Sequence, residues 1–144
     1  MVDLLLIVRV AGRRVALPAS EVEGVVELEG LTPAPGAAPH VAGLSSLRSR
    51  VLTVIDATAA LELGRSGASD LAQAIVVPSG GHPYALLVDG VEDVVEAAGA
   101  PAAIAAPLGA GWERVALGTV DTRDDLLLLV DPHALIAGPA AVHA

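Results

Sequence analysis

The chain has no cysteine, no lysine and no phenylalanine. Without cysteine there can be no disulfide and no thiol chemistry, and the redox compartment stays open. Without lysine, all eight basic residues are arginines, set against 17 acids for a formal net charge of −9. Phosphate backbones and anionic headgroups require a basic footprint, so neither nucleic acid nor a membrane surface is an expected partner. Trp112 and Tyr84 are the only aromatic residues, so the core has to be aliphatic. Long hydrophobic runs are missing as well. Two long uncharged stretches, 30–47 and 97–112, are broken by Pro33, Pro35, Pro39, Pro101 and Pro107, and neither reads as a membrane helix. The N-terminal run carries Asp3 and only five apolar residues before Arg9, too few for a secretion signal. The expectation is a cytoplasmic protein.

What is present is a series of short apolar runs: 4–10, 14–18, 22–28, 50–55, 74–78, 84–88, 91–97, 114–120 and 125–130. Each has strand length, is bounded by turn residues, and most are rich in Val or Ile. Ala11-Gly12, Gly80-Gly81 and Asp89-Gly90 read as hairpin-like turns. The pattern predicts an all-β fold with short helices. Three runs end in an acid. Asp56 and Asp131 precede short helical patterns, with Pro132 at a first helical position, and read as N-caps. Asp89 before Gly90 reads as a turn.

The chain also repeats itself. VALPASEVEGVVE (15–27) aligns with YALLVDGVEDVVE (84–96), and GLSSLRSRVLTVIDATAAL (43–61) aligns with GTVDTRDDLLLLVDPHALI (118–136). Gly43 meets Gly118, Arg48 meets Arg123, and Asp56 meets Asp131. Two β modules are expected, about 13–61 and 74–136, with a terminal strand at 4–10 and a polar connector at 62–73. Modules this small bury little core alone, so they are expected to pack through an apolar seam.

Little in the sequence points to catalysis. His40, His82, His133 and His143 are scattered without metal-ligand spacing. Asp70, Asp121, Asp124 and Asp125 lack a calcium-loop pattern, and 121–125 reads as a charged hairpin tip. SGGHP (79–83) lacks the lysine of a phosphate loop. Ser45, Ser46 and Ser49 could serve as nucleophiles only with a base beside them in space. No enzyme activity, metal or cofactor is expected. A β domain without chemistry is most often a binding module, using strand edges and apolar grooves.

At GLSSLRSRVLTVID (43–56) the chain resembles the CheW-like domain of bacterial chemotaxis coupling proteins, whose pattern runs close to G-[LIV]-x-N-L-R-G-x-[VI]-[LIV]-P-[VI]-[VI]-D-L. Residues 13–44, 84–96 and 117–136 resemble its other segments in the same order. The resemblance implies two five-stranded, SH3-like β-barrels around a shared apolar seam and a non-enzymatic scaffold. It implies that the chain joins a methyl-accepting chemoreceptor hairpin tip to the regulatory domain of a CheA-type histidine kinase, beneath membrane-associated receptor arrays, with other CheW-like domains as further possible partners. On the matching positions it assigns the receptor contact to Arg48, with Leu47 and Ser46 beside it. It points more weakly to Val22, Gly24, Val25, Val91 and Val94 for kinase or receptor contacts. Alternation would send Val22 and Val26 to one face and Val25 to the other. Arg48 could instead brace its own barrel, and Arg50 reads as an ordinary solvent-facing strand residue. Ser46, Ser49 and Thr53 depart from the family's Asn, Gly and Pro, and Gly24 stands where an acid is frequent. A glycine at position 49 would suit a positive φ. Two other readings stay open: an adaptor of this type outside chemotaxis, in pilus motility or development, and a small ligand-binding β-barrel or hydrolase.

Overall fold

The computed structural model describes residues 3–28, 30–65, 73–123 and 125–139. Apolar alternation and tight turns build the strands in pairs. Ala11 and Gly12, both at positive φ, turn β1 (Leu4–Val10) into β2 (Arg13–Pro18). Gly80 and Gly81, also at positive φ, turn β6 (Gln73–Ser79) into β7 (His82–Leu87). Two central residues at positive φ match the twist of the strands they join. The remaining strands are β3 (Gly24–Glu27), β4 (Val41–Leu47), β5 (Arg50–Asp56), β8 (Gly90–Glu96), β9 (Ala116–Asp121) and β10 (Leu126–Val130). Among the described residues three short α-helices accompany them, α1 (Ala57–Ala60), α2 (Ala110–Val115) and α3 (Pro132–Ala137), with a 3-10 turn at Ala19–Glu21. The Asp56 carboxylate accepts the Ala59 N–H at 3.2 Å, and that of Asp131 accepts the His133 N–H at 2.9 Å. Both acids are the helix caps expected from the sequence.

The strands form two five-stranded sheets, β8-β1-β2-β10-β9 and β3-β6-β7-β5-β4. Advancing the second by five strands in chain order, with β6 and β7 wrapping round to β1 and β2, reproduces the first. Each sheet has one parallel join, β2 with β10 and β5 with β7. The repeat is therefore real in space, but the sheets do not follow a division at 13–61 and 74–136. The first module gives β2 to one sheet and β3 to β5 to the other; the second gives β6 and β7 to one and β8 to β10 to the other. Residues 66–72 of the expected connector lie outside the described residues.

This exchange explains why the strands read as nearly continuous apolar runs: they are buried on both faces. In β1, Leu5 and Ile7 face a cluster inside the first sheet with Ala16, Val120, Leu127 and Leu129. Leu6, Val8 and Val10 face the seam with residues of the second sheet such as Ile55, Ile75, Val77 and Leu86. The second sheet closes on Leu28, Leu52, Val54, Ala74, Val76, Ala85 and Leu87. Three cores result, one inside each barrel-like sheet and one between them; they are aliphatic except that the seam also takes Trp112. At the seam Arg114 ties the helices together. It donates to the backbone carbonyls of Ala60 and of Gly138, the latter at 3.0 Å.

Three local expectations differ from the structure. β4 was not among the expected runs. Residues 114–120 begin as the end of α2, because Val115 and Trp112 turn into the seam. Asp89-Gly90 is not a hairpin: β7 and β8 belong to different sheets, and Asp89 accepts the Gly12 N–H at 3.0 Å.

Candidate functional site

β4 and β5 form a hairpin closed by the pair Leu47 and Arg50. The two residues between them, Arg48 and Ser49, have φ of 50° and 67°. Positive φ in non-glycine residues is uncommon, so this tight turn accounts for the glycine that the family pattern carries at position 49. Arg48 is thereby held at an exposed tip, and it makes no hydrogen bond or ion pair with the described residues. It does not brace its own barrel. Arg65 and Arg123 share this freedom among the described residues, whereas the remaining arginines are engaged. Arg9 and Arg14 pair with Glu92, Arg14 also with Asp125, and Arg13 lies 5.0 Å from the Trp112 ring.

Arg50 is not an idle strand residue. Its guanidinium meets Glu23 at 2.6 Å. The hydrogen bond from Arg50 pulls the Glu23 carboxyl below its ordinary range, and the same bond holds the Arg50 proton more firmly. Glu23 sits between Val22 and Gly24, so this ion pair brings the 22–25 stretch against the hairpin that carries Ser46, Leu47 and Arg48. No sequence signal marked it, since the partners are 27 residues apart.

Val25 is exposed, as alternation requires, but Val22 and Val26 do not share one face: Val22, which precedes β3, packs on the seam and Val26 on the second barrel's core. Val91, the counterpart of Val22, also packs on the seam, and Val94 is half exposed on edge strand β8. Gly24 opens edge strand β3 opposite Val76, and a Cβ there would meet nothing within 4 Å. Ser46 is exposed and pairs with Val51; Leu44 pairs with Thr53. Leu44 and Val51 therefore add exposed apolar surface beside Ser46 on edge strand β4. Thr53, in place of the family's proline, bonds the His82 ring at 2.8 Å.

Of the candidate serines, Ser45 is buried and Ser46 and Ser49 are exposed. The histidine–serine contact lies elsewhere: Ser79 Oγ is 3.0 Å from His133 Nδ1, and Glu21 is 2.7 Å from Nε2. Because the carboxylate only accepts, the Nε2–H donates to Glu21, and in the neutral ring Nδ1 takes the Ser79 O–H. This clasp links α3, β6 and the 3-10 turn Ala19–Glu21 across the seam.

The family model for the CheW-like domain matches residues 4–140. The chain belongs to the CheW-like domain family. Its fold is similar to the crystal structure of scaffolding protein TtCheW from Thermoanaerobacter tengcongensis, with a TM-score of 0.78 and 22% identity, covering 94% of this chain and 92% of that one. No curated protein matches the chain. CheW-like domains are non-enzymatic scaffolds of chemotaxis signalling, and the two five-stranded sheets are the fold of that family. No described helix is long and apolar enough to cross a membrane.

Proposed function

We propose that this CheW-like domain couples the cytoplasmic hairpin tip of a chemoreceptor to the regulatory domain of a CheA-type histidine kinase. Arg48 at the hairpin tip is the observation that carries this reading. A planar, always-charged fork on a tight turn, with no partner among the described residues, can bond carboxylate or backbone oxygens of a docked helix. Leu47 and Ser46 flank it on the receptor side. Val25 and Val94 offer exposed apolar contacts on the two outer edge strands, with Val22 and Val91 at their seam ends and Gly24 beside them. Through these edges the chain meets the kinase or, beyond it, other CheW-like domains. Recruitment to receptor arrays in the cytoplasm follows from such contacts.

The test is capture on two immobilised baits, a receptor cytoplasmic hairpin and the kinase regulatory domain, with wild type and Arg48→Glu. Binding to both, with only the receptor arm lost in the variant, is the expected result. Retention of neither bait by the wild type would refute the coupling role.

A further inference from the structure

The two barrels share one topology but are not filled alike. In the second, Glu27 pairs with Gln73 and the next residue, Leu28, turns inward, where it is only 4% exposed. In the first, Glu96 pairs with Leu4 and the next residue, at the position matching Leu28, is Ala97. Ala97 packs on the first barrel's core, its N–H bonded to the Asp3 carbonyl at 2.8 Å. It lacks the atoms with which Leu28 closes the other barrel. A cavity of about 510 Å³ opens there. Its floor is Leu5, Val120 and Leu129, all core residues, and among the described residues Asp3 and Ser20 are its only polar side chains.

We infer that this unplugged barrel mouth binds a compact aliphatic small molecule with a neutral or cationic head. The volume falls in the range of small-molecule sites, which are mainly apolar with a few polar groups fixing orientation. The floor offers aliphatic carbon alone, so covering it with an apolar guest removes apolar surface from water. The head is set by charge. Asp3 is an exposed carboxylate at the rim, so an anionic head would meet like charge while its chain entered the cavity, and a cation would not. The site lies on the first barrel and does not use the β4–β5 hairpin.

The inference is tested on the full chain with hexan-1-ol, hexylammonium and hexanoate, followed by amide chemical shifts in an NMR titration. Saturable shifts at Leu5, Ala97, Val120 and Leu129 are expected with the first two probes, and at least tenfold weaker binding with hexanoate. Ala97→Leu, copying the second barrel, should weaken the bound probes at least tenfold while the melting temperature holds or rises. Ala97→Val, which fills less of the space, serves if the leucine is not accommodated and should weaken them in part. No saturable binding by the wild type, hexanoate binding as tightly as hexylammonium, or variants that bind like wild type would each overturn the inference.

Discussion

The two barrels are near-copies in strand order, and their differences show how one template takes on two surfaces. The second barrel has a plugged mouth, Leu28, and a two-residue hairpin that thrusts Arg48 outward. The first has Ala97 at its mouth, and its β9–β10 turn is longer, with Thr122 Oγ and the Asp125 N–H bonded at 3.1 Å. Arg123, the counterpart of Arg48, sits beside Glu96 and Thr122 along a shallow cleft. Shared positions carry the fold, and unshared ones carry the difference.

The shared positions should break the fold equally in both halves. Gly43 and Gly118 have φ of 153° and 147°. A Cβ on either would run into a backbone carbonyl, that of Thr32 or of Ala102. The same neighbours form the isolated bridges Thr32 with Leu44 and Ala102 with Thr119. Gly43→Ala and Gly118→Ala should each cost about 3 kcal/mol, strain and clash together. Chemical denaturation of both variants checks this; a loss in one half alone would show that the repeat is not structurally equivalent there.

The unshared plug comes next. Leu28→Ala should cost about 2–3 kcal/mol, the low part of the range for a buried leucine, since its site is near a barrel mouth. Ala97→Leu, the reverse change, should be neutral or stabilise by up to about 1 kcal/mol. Equal effects in the two variants would mean that the mouths are not counterparts.

Much of this was legible in the sequence, and the exceptions have physical reasons. Nearly every apolar run became a strand, and the acids Asp56 and Asp131 became caps. β4 was hidden because its pattern is reversed: Gly43 and Ser45 point inward while Leu44 and Ser46 point out. α2 was hidden because Gly109 leads into it without a side-chain cap. The sharing of strands between sheets was beyond reach, since the repeat looks the same whether β2 stays with its own half or crosses over. Only long-range pairing, Leu128 with Val15 and Thr53 with Tyr84, decides it. At the site, Arg48 came from the resemblance, and Glu23 came from the structure alone.

The two arginine tips sharpen the comparison at the level of binding. Arg48→Glu should weaken capture by the receptor hairpin at least tenfold, or about 1.4 kcal/mol. Arg123→Glu should change it less than twofold if the second barrel alone carries the contact. Equal losses, measured by titration against the same bait, would put both barrels in the contact.

The smallest effect concerns Glu23, whose counterpart in the other half is Glu92. Arg50 holds the Glu23 carboxyl below its ordinary value of 4.5. A carboxyl depressed in the folded state is protonated more readily in the unfolded one. Its contribution is therefore complete above about pH 4.5 and fades as pH falls through the lower folded value. Both partners are nearly half exposed, so solvent screens the pair and the fold should lose little. The Glu23→Gln variant should match wild-type stability closely at neutral pH, and its acid limb should be slightly flatter. Its larger consequence is positional. Without the ion pair, nothing charged among the described residues holds the Val22–Val25 stretch to the Arg48 hairpin. Amide shifts across 22–25 and 46–50 should therefore move together in Glu23→Gln, whereas Glu92→Gln should leave both stretches in place.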